Sequence, residues 1–410
     1  MRRRSMPERE LQQPKPLRIG LLTHSVNPRG GVVHTLELAQ ALHEAGHRVT
    51  VIAPAPKGQG FFRPVRCSTH LAAVAPASSD MVRMVASRIV ALRAAVEDLL
   101  RGGEAFDVLH AHDPIGGNAL ADLRERGAID GFVRTVHHLE HFESPQLMHW
   151  QSRGFRSAAQ LFCVSRLWRD RLAAEHGLEA HQVDNGIDSR RFSPGARDAA
   201  LALRLGVRGQ APVLLAVGGV EERKNTLRLL QAFIRLRALH HPQAQLVVAG
   251  GASLLDHSRS ARDFAALAQA QGLAIGAGQP IVLTGPLADE DMPGLYRLAD
   301  VVAMPSLNEG FGLVVLEALA SGVPVVVSRI APFTDYLREG EVQWADPLDA
   351  DSIAAALHAA LSGRDAARIA SAADRLGQRF DWRASAARHV RLYRQGLGPR
   401  ATTQSLAAVD

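Results

Sequence analysis

Near the start of the chain a strand, a helix and a second strand fit into about 40 residues, and this spacing constrains the fold more than any other feature. "LRIGLLTH" (Leu17 to His24) is a short apolar run, and Gly30-Gly31 follow. "VVHTLELAQALHEAGH" then sets Val33, Leu36, Ala39 and Leu42 at helical spacing, with Gly46 as a C-terminal cap. "RVTVIAP" supplies the next strand, so the unit is parallel. The alternation runs on through "DVLHAH", "FVRTVHH" and "QLFCVS". A second series begins at "PVLLAVGG": helix Thr226 to His240, "QLVVAGG", "IVLTGP", helix "MPGLYRLA", "DVVAMPS", a helix from about Leu313, and "PVVVS". Two such series predict an α/β protein of two doubly wound domains facing each other.

Length agrees, since single cores stop growing at roughly 250 to 300 residues and this chain has 410. The boundary is expected near Gly206, in the polar segment Ser189 to Gln210. That gives a first domain over 17–205 and a second over 206–380, with loose tails at 1–16 and 398–410. "DWRASAARHVRLYRQGL" (381–397) is either a plain terminal helix or one that crosses back onto the first domain. Two distant cysteines, Cys67 and Cys163, form neither a disulfide framework nor a zinc spacing, and a reducing cytoplasm is the default. The first residues lead into polar side chains and prolines, so no signal peptide is expected. No window reaches roughly 18 uninterrupted apolar residues, which leaves only peripheral membrane contact at the inner face. "MVRMVASRIVALRAAVEDLL" could make such contact, although an ordinary amphipathic surface helix is the stronger reading. The net charge of +6 favours anionic partners in general, and nucleic acid has no other support.

Open parallel sheets bind ligands at the carboxyl ends of their strands. "DVVAMPS" delivers the chain to Leu307-Asn308-Glu309, where Gly310 and Gly312 allow a ligand close to the backbone and the next helix opens an anion site. Glu309 precedes that helix and Glu317 lies inside it. At about 1.5 Å rise per residue they are on the order of 10 Å apart, too far to share a proton and well placed to hold two hydroxylated ends of one diphosphate. Spacing alone gives a structural ion pair even odds. The histidines of "RTVHHLEHF" (His137, His138, His141) have no companion carboxylate or cysteine spacing that completes a metal set, and no metal is expected. "HAHDP" gives His110, His112 and Asp113 at another strand end, with a satisfied core histidine at least as good a reading for His110.

"NEGFGLVVLEALASGVPVVVS" resembles the E-x7-E signature of the retaining glycosyltransferases of family 4, with Glu309 and Glu317 on its two glutamates. "GGVVHTLELAQALHEAGHRVTVIAP", "VDNGIDSRRFSP" and "GPLADEDMPGLYRLADVVAMPS" resemble other segments of the same family in the same order. The resemblance implies a GT-B fold, two Rossmann-like domains across a cleft. It also implies transfer of a sugar from a nucleoside diphosphate to an acceptor hydroxyl, by front-face substitution and with no metal or other cofactor. It places donor contacts at Gly30, Gly31, Gly218, Gly219, Arg223, Lys224, Glu309, Gly310, Phe311, Gly312, Leu313 and Glu317. Lys224 in "VGGVEERKN" matches the family lysine, the usual arginine is replaced by Gly219, and Arg223 is the candidate substitute. His137, with Glu309, Arg223 and Lys224, is expected to serve the reaction, with His138 as its fallback. His34, His112, Asp113 and His138 are acceptor-side candidates, while Asn185, Gly186 and Asp188 shape the hinge. The acceptor is unidentified: a small molecule, a glycan or a lipid-linked group. A nucleotide-sugar epimerase and a non-catalytic sugar-nucleotide scaffold are the rival readings.

Overall fold

The computed structural model describes residues 15–76, 78, 80–251 and 258–396. Apart from Lys15 and Pro16, the two tails expected from the sequence lie outside these residues. Strands β1 (Arg18–Leu22), β2 (Arg48–Pro56), β3 (Ser68–Val74), β4 (Val108–Ala111), β5 (Val133–Val136), β6 (Gln160–Cys163) and β7 (His181–Gln182) form the first sheet, in the order 3-2-1-4-5-6-7. Every neighbouring pair is parallel. The second sheet holds β8 (Val213–Val217), β9 (Gln245–Ala249), β10 (Ile281–Gly285), β11 (Val301–Met304), β12 (Val325–Ser328) and β13 (Gln343–Ala345), in the order 10-9-8-11-12-13, again parallel.

Helices cover both faces of each sheet: α1 (Gly30–Glu44), α2 (Met81–Arg101), α3 (Pro114–Glu125), α4 (Pro145–Arg156) and α5 (Arg166–His176) in the first half, then α6 (Ala199–Leu205). α7 (Thr226–Leu239), α8 (Ser258–Ala270), α9 (Met292–Leu298), α10 (Leu313–Ala320), α11 (Phe333–Tyr336), α12 (Ala350–Ser362), α13 (Ala366–Arg379) and α14 (Trp382–Gly396) follow. Double coverage explains why β4, β5, β11 and β12 are buried at every position and why β11 reads as an unbroken apolar run. The strand order of each sheet reverses beside its first strand, at β1/β4 and β8/β11, and the loops leaving those strands border the crevice such folds use for ligands.

Two segments join the halves, and they are bonded to each other. The amide of Ile187 donates to the carbonyl of Phe380 at 2.9 Å, and Ile187 pairs with Asp381. Gly186 is seated so tightly beneath Trp382 that any Cβ would run into the tryptophan backbone and ring. α14 lies on α1, with Trp382, Ala386, Val390 and Tyr393 inside the core of the first sheet. The polar segment at 189–210 contains a helix the polarity of its flanks concealed. Asp198 caps α6 through the Leu201 amide at 2.9 Å, Leu201 is buried, and Gly206 closes the helix in the left-handed region at φ 71°. The apolar stripe of α2 faces inward, with Met84 buried and Ile89 and Leu92 packed in one core with residues of α3 and β3. Arg88, on the same helix, is itself buried and donates to the carbonyl of His24. Among the described residues no helix is long and apolar enough to cross a membrane.

Candidate functional site

Chain geometry gathers the acidic and basic residues at the point where the halves meet. β11 ends at Met304, and Gly312 then adopts φ 94° to turn the chain into α10. No side chain fits there, because a Cβ would sit 2.5 Å from the Phe333 ring and 3.0 Å from the Tyr336 hydroxyl. Gly310 is needed for a different reason: a Cβ would run into the carbonyl oxygen of His137, across the interface. The backbone around the start of α10 therefore touches the end of β5 directly. Trp168 strengthens the join by donating its indole N–H to the Glu309 carbonyl at 3.3 Å.

Glu309 is buried and held by two cations. Lys224 Nζ donates to its Oε1 at 2.6 Å and Arg223 Nη1 at 2.8 Å. Burial alone would raise the Glu309 pKa, but Lys224 and Arg223 outweigh it and carry the carboxyl down to about 2. Burial also opposes the charge on Arg223, yet Glu309, Glu221 and Glu140 raise its pKa overall. For Lys224 burial prevails over the attraction of Glu309, and its pKa is lowered. His138 Nε2 lies 2.9 Å from Glu140, which lies 3.8 Å from Arg223, so the charged network passes from one half to the other.

Glu317 has a different environment. The Tyr296 hydroxyl donates to its Oε2 at 2.5 Å. Burial raises its pKa to about 7, with Tyr296 and Arg191 pulling it down and Glu37 and Asp289 pushing it up. Those neighbours form a clasp between the halves: Arg63 bonds Glu37 at 2.6 Å, Arg191 bonds Asp289 at 2.8 Å, and Arg63 lies 3.6 Å from Asp289. Two carboxylates on one short segment thus differ in protonation, one ionised between cations and one poised near neutrality.

The glycines after β8 suit the same crevice. Gly218 and Gly219 have φ of 128° and 79°, so an arginine at position 219 would be strained, and Arg223 is the guanidinium that reaches Glu309. A Cβ on Gly218 would meet the Lys224 side chain at 3.0 Å. Gly31 approaches His137, while Gly30 at the start of α1 has open space beside it. Leu313 opens α10 and packs against the cores of both halves. Phe311 turns its side chain into the second core. Its ring stacks on Tyr336 in the second core and its carbonyl accepts from the Tyr336 hydroxyl at 2.8 Å, so only its amide remains for a ligand.

The first-half candidates separate. Asp113 caps α3 through the Gly116 amide at 2.8 Å and lies 3.6 Å from His24. His110 is a satisfied core histidine, bonded to Tyr393 and Thr135 at 2.7 Å each. His34, His112 and His137 come together, whereas His138 points to Glu140. Sequence reasoning missed Tyr296, Trp168, Glu140 and the clasp, because each partner lies far along the chain and no local pattern marks it.

Residues 28–191 match the family described as Glycosyltransferase Family 4, and residues 203–376 match Glycosyl transferases group 1. A D-inositol 3-phosphate glycosyltransferase of Saccharomonospora viridis is 30% identical over 326 residues, covering 71% of this chain and 70% of that protein. This chain is a group 1, family 4 glycosyltransferase. A phosphatidyl-myo-inositol mannosyltransferase of Mycolicibacterium smegmatis is 28% identical over 403 residues, 96% of this chain and 98% of that one. Among solved structures, a sucrose-phosphate synthase from Thermosynechococcus elongatus gives a TM-score of 0.74 at 21% identity, covering 92% of this chain and 98% of that one. Anabaena HepE, solved with UDP and glucose, gives 0.73 at 17%, covering 92% and 99%. These likenesses establish the GT-B fold, and membership of the family makes the chain an enzyme that uses a nucleotide-sugar donor.

Proposed function

We propose that the glycosyltransferase works with retention of anomeric configuration, by metal-independent front-face substitution, on a polyol acceptor. The observation that carries this reading is the placement of Glu309 between Lys224 and Arg223 at the mouth of α10, with Glu317 further along the same helix. The donor diphosphate lies against Lys224, Arg223 and the amides around Gly310 to Leu313, which supply the positive charge that departure of a nucleoside diphosphate requires. Gly30 and Gly31 border the phosphates from the first half, Gly218 and Gly219 from the second. When the diphosphate takes over the cations, Glu309 is released to accept hydroxyls of the donor sugar, and Glu317 accepts those of the ribose. The acceptor oxygen attacks from the face the phosphate leaves, the glycosidic C–O bond forms as the C–O bond to phosphate breaks, and the acceptor proton passes to the departing phosphate oxygen. No strong protein base is then needed, and the clasped halves keep water from hydrolysing the donor. His137 orients the sugar.

Two curated relatives carry inositol in their names, one as a phosphate and one as a phosphatidyl lipid, and both are the acceptors to try first. The test is NMR of product formed from UDP-, GDP- and ADP-sugars with inositol phosphate or phosphatidylinositol. An anomeric proton of the same configuration as the donor is the expected result. Inverted product contradicts front-face transfer, and isomerised donor formed without acceptor supports an epimerase.

A further inference from the structure

The first half contains a cluster that the proposed transfer leaves unexplained. His34 in the first turns of α1, His112 after β4 and His137 after β5 converge, with ring centroids 4.5 Å apart for His34 and His137 and 5.0 Å for His34 and His112. His34 and His112 are buried. Four of their ring nitrogens are buried without a hydrogen-bond partner: Nε2 of His34, both nitrogens of His112, and Nε2 of His137. Buried polar atoms in native proteins almost always find partners, and several orphans at one point call for a shared ligand. One available nitrogen from each residue lies within 4.8 Å of the others, and among the described residues this is the one group of three such side chains so placed.

We infer that His34, His112 and His137 form a zinc site, with Nε2 of His34, Nε2 of His137 and one ring nitrogen of His112 as ligands. Three imidazoles and no thiolate suit Zn²⁺, with a fourth position left for water or a substrate oxygen, whereas Mg²⁺ and Ca²⁺ demand oxygen donors. Zn–N bonds of about 2.0 to 2.1 Å place tetrahedral ligands roughly 3.3 Å apart, so small ring rotations close the set on an ion. An outer contact already orients one ligand. His34 Nδ1 meets Asn185 Oδ1 at 2.9 Å, and because that oxygen can only accept, the proton sits on Nδ1 and the lone pair on Nε2. Neutral imidazole is the form that binds metal. Occupancy also removes Nε2 of His137 from hydrogen bonding to a sugar, so zinc inhibits transfer. That consequence rests on the role given to His137 above, and the site itself does not.

The test is titration of chelator-stripped full-length protein with Co²⁺, read by its visible absorption bands, followed by displacement with Zn²⁺ and counting of bound zinc. One ion per chain with tetrahedral-type bands is expected. His112→Ala should weaken binding at least about tenfold, Asn185→Ala by about 10- to 100-fold through loss of the orienting bond, and His138→Ala not at all. Circular dichroism checks that each variant is folded, and if His112→Ala is not, wild type and Asn185→Ala decide. Failure of wild type to bind, or binding unchanged in His112→Ala and His34→Ala, overturns the site. Binding without EDTA-reversible inhibition leaves the site standing and removes His137 from the sugar.

Discussion

Glu317 and Glu309 show how one residue type acquires two characters from its neighbours. Glu309 faces a lysine and an arginine and stays ionised, whereas Glu317 has the Tyr296 hydroxyl and a distant Arg191, too little to offset its burial. A carboxyl whose folded pKa is raised stabilises the fold through its protonated form. That contribution is complete below its ordinary value and is lost as pH rises through about 7. The ribose contact proposed for Glu317 runs in the opposite direction, since only the carboxylate accepts from both hydroxyls. Calorimetry with the cognate nucleoside diphosphate should therefore find affinity rising between pH 6 and 8 in wild type. In Glu317→Gln it should be several-fold weaker and flat over the same range. The E-x7-E spacing was legible in the sequence, but this difference was not, because Tyr296 and Lys224 lie 21 and 85 residues from the carboxylates they bond.

The turn into α10 is where an element determines chemistry. Gly312 is required by its own half, through its positive φ and the Phe333 and Tyr336 rings. Gly310 is required by the other half, through the His137 carbonyl. The two should respond differently to substitution. Gly310→Ala should leave the melting temperature within a few degrees of wild type but lower kcat by about tenfold or more, because a methyl group there holds the halves apart where the reacting groups must meet. Gly312→Ala should cost about 1 to 3 kcal/mol of stability. Thermal melts with steady-state kinetics separate the two effects, and an unchanged kcat in Gly310→Ala would show that this contact is not part of the working enzyme. Sequence pattern found β1, β2, β4 to β6 and β8 to β12, and helices α1, α2, α7, α9, α10 and α14, because apolar runs and helical spacing are local signals. It missed β3, exposed at most of its positions, the short β7 and β13, α6, whose alanines carry no amphipathic stripe, and helices α3, α4, α5, α8, α11, α12 and α13.

For the molecule as a whole, four of the contacts between the halves among the described residues are the paired crossings at Ile187 and Phe380, α14 on α1, the clasp of Arg63, Glu37, Arg191 and Asp289, and the Glu309 network. The first two are backbone and apolar contacts that fix the hinge. The other two are charged, lie beside the proposed donor site and can be exchanged for a charged ligand without exposing apolar core. In the proposed function, donor binding substitutes phosphate for a carboxylate at the same cations. The arrangement depends on pairs far apart in sequence, and the alternation of strands and helices revealed the two halves without revealing what holds them together. The most direct measurement is a crystal structure of the chain with its nucleoside diphosphate sugar. The expected result is the pyrophosphate on Lys224 and Arg223, the Glu309 carboxylate turned to the sugar, and Glu317 on the ribose. A bound donor with Glu309 still paired to Lys224 and Arg223, and Glu317 still bonded only to Tyr296, would contradict it.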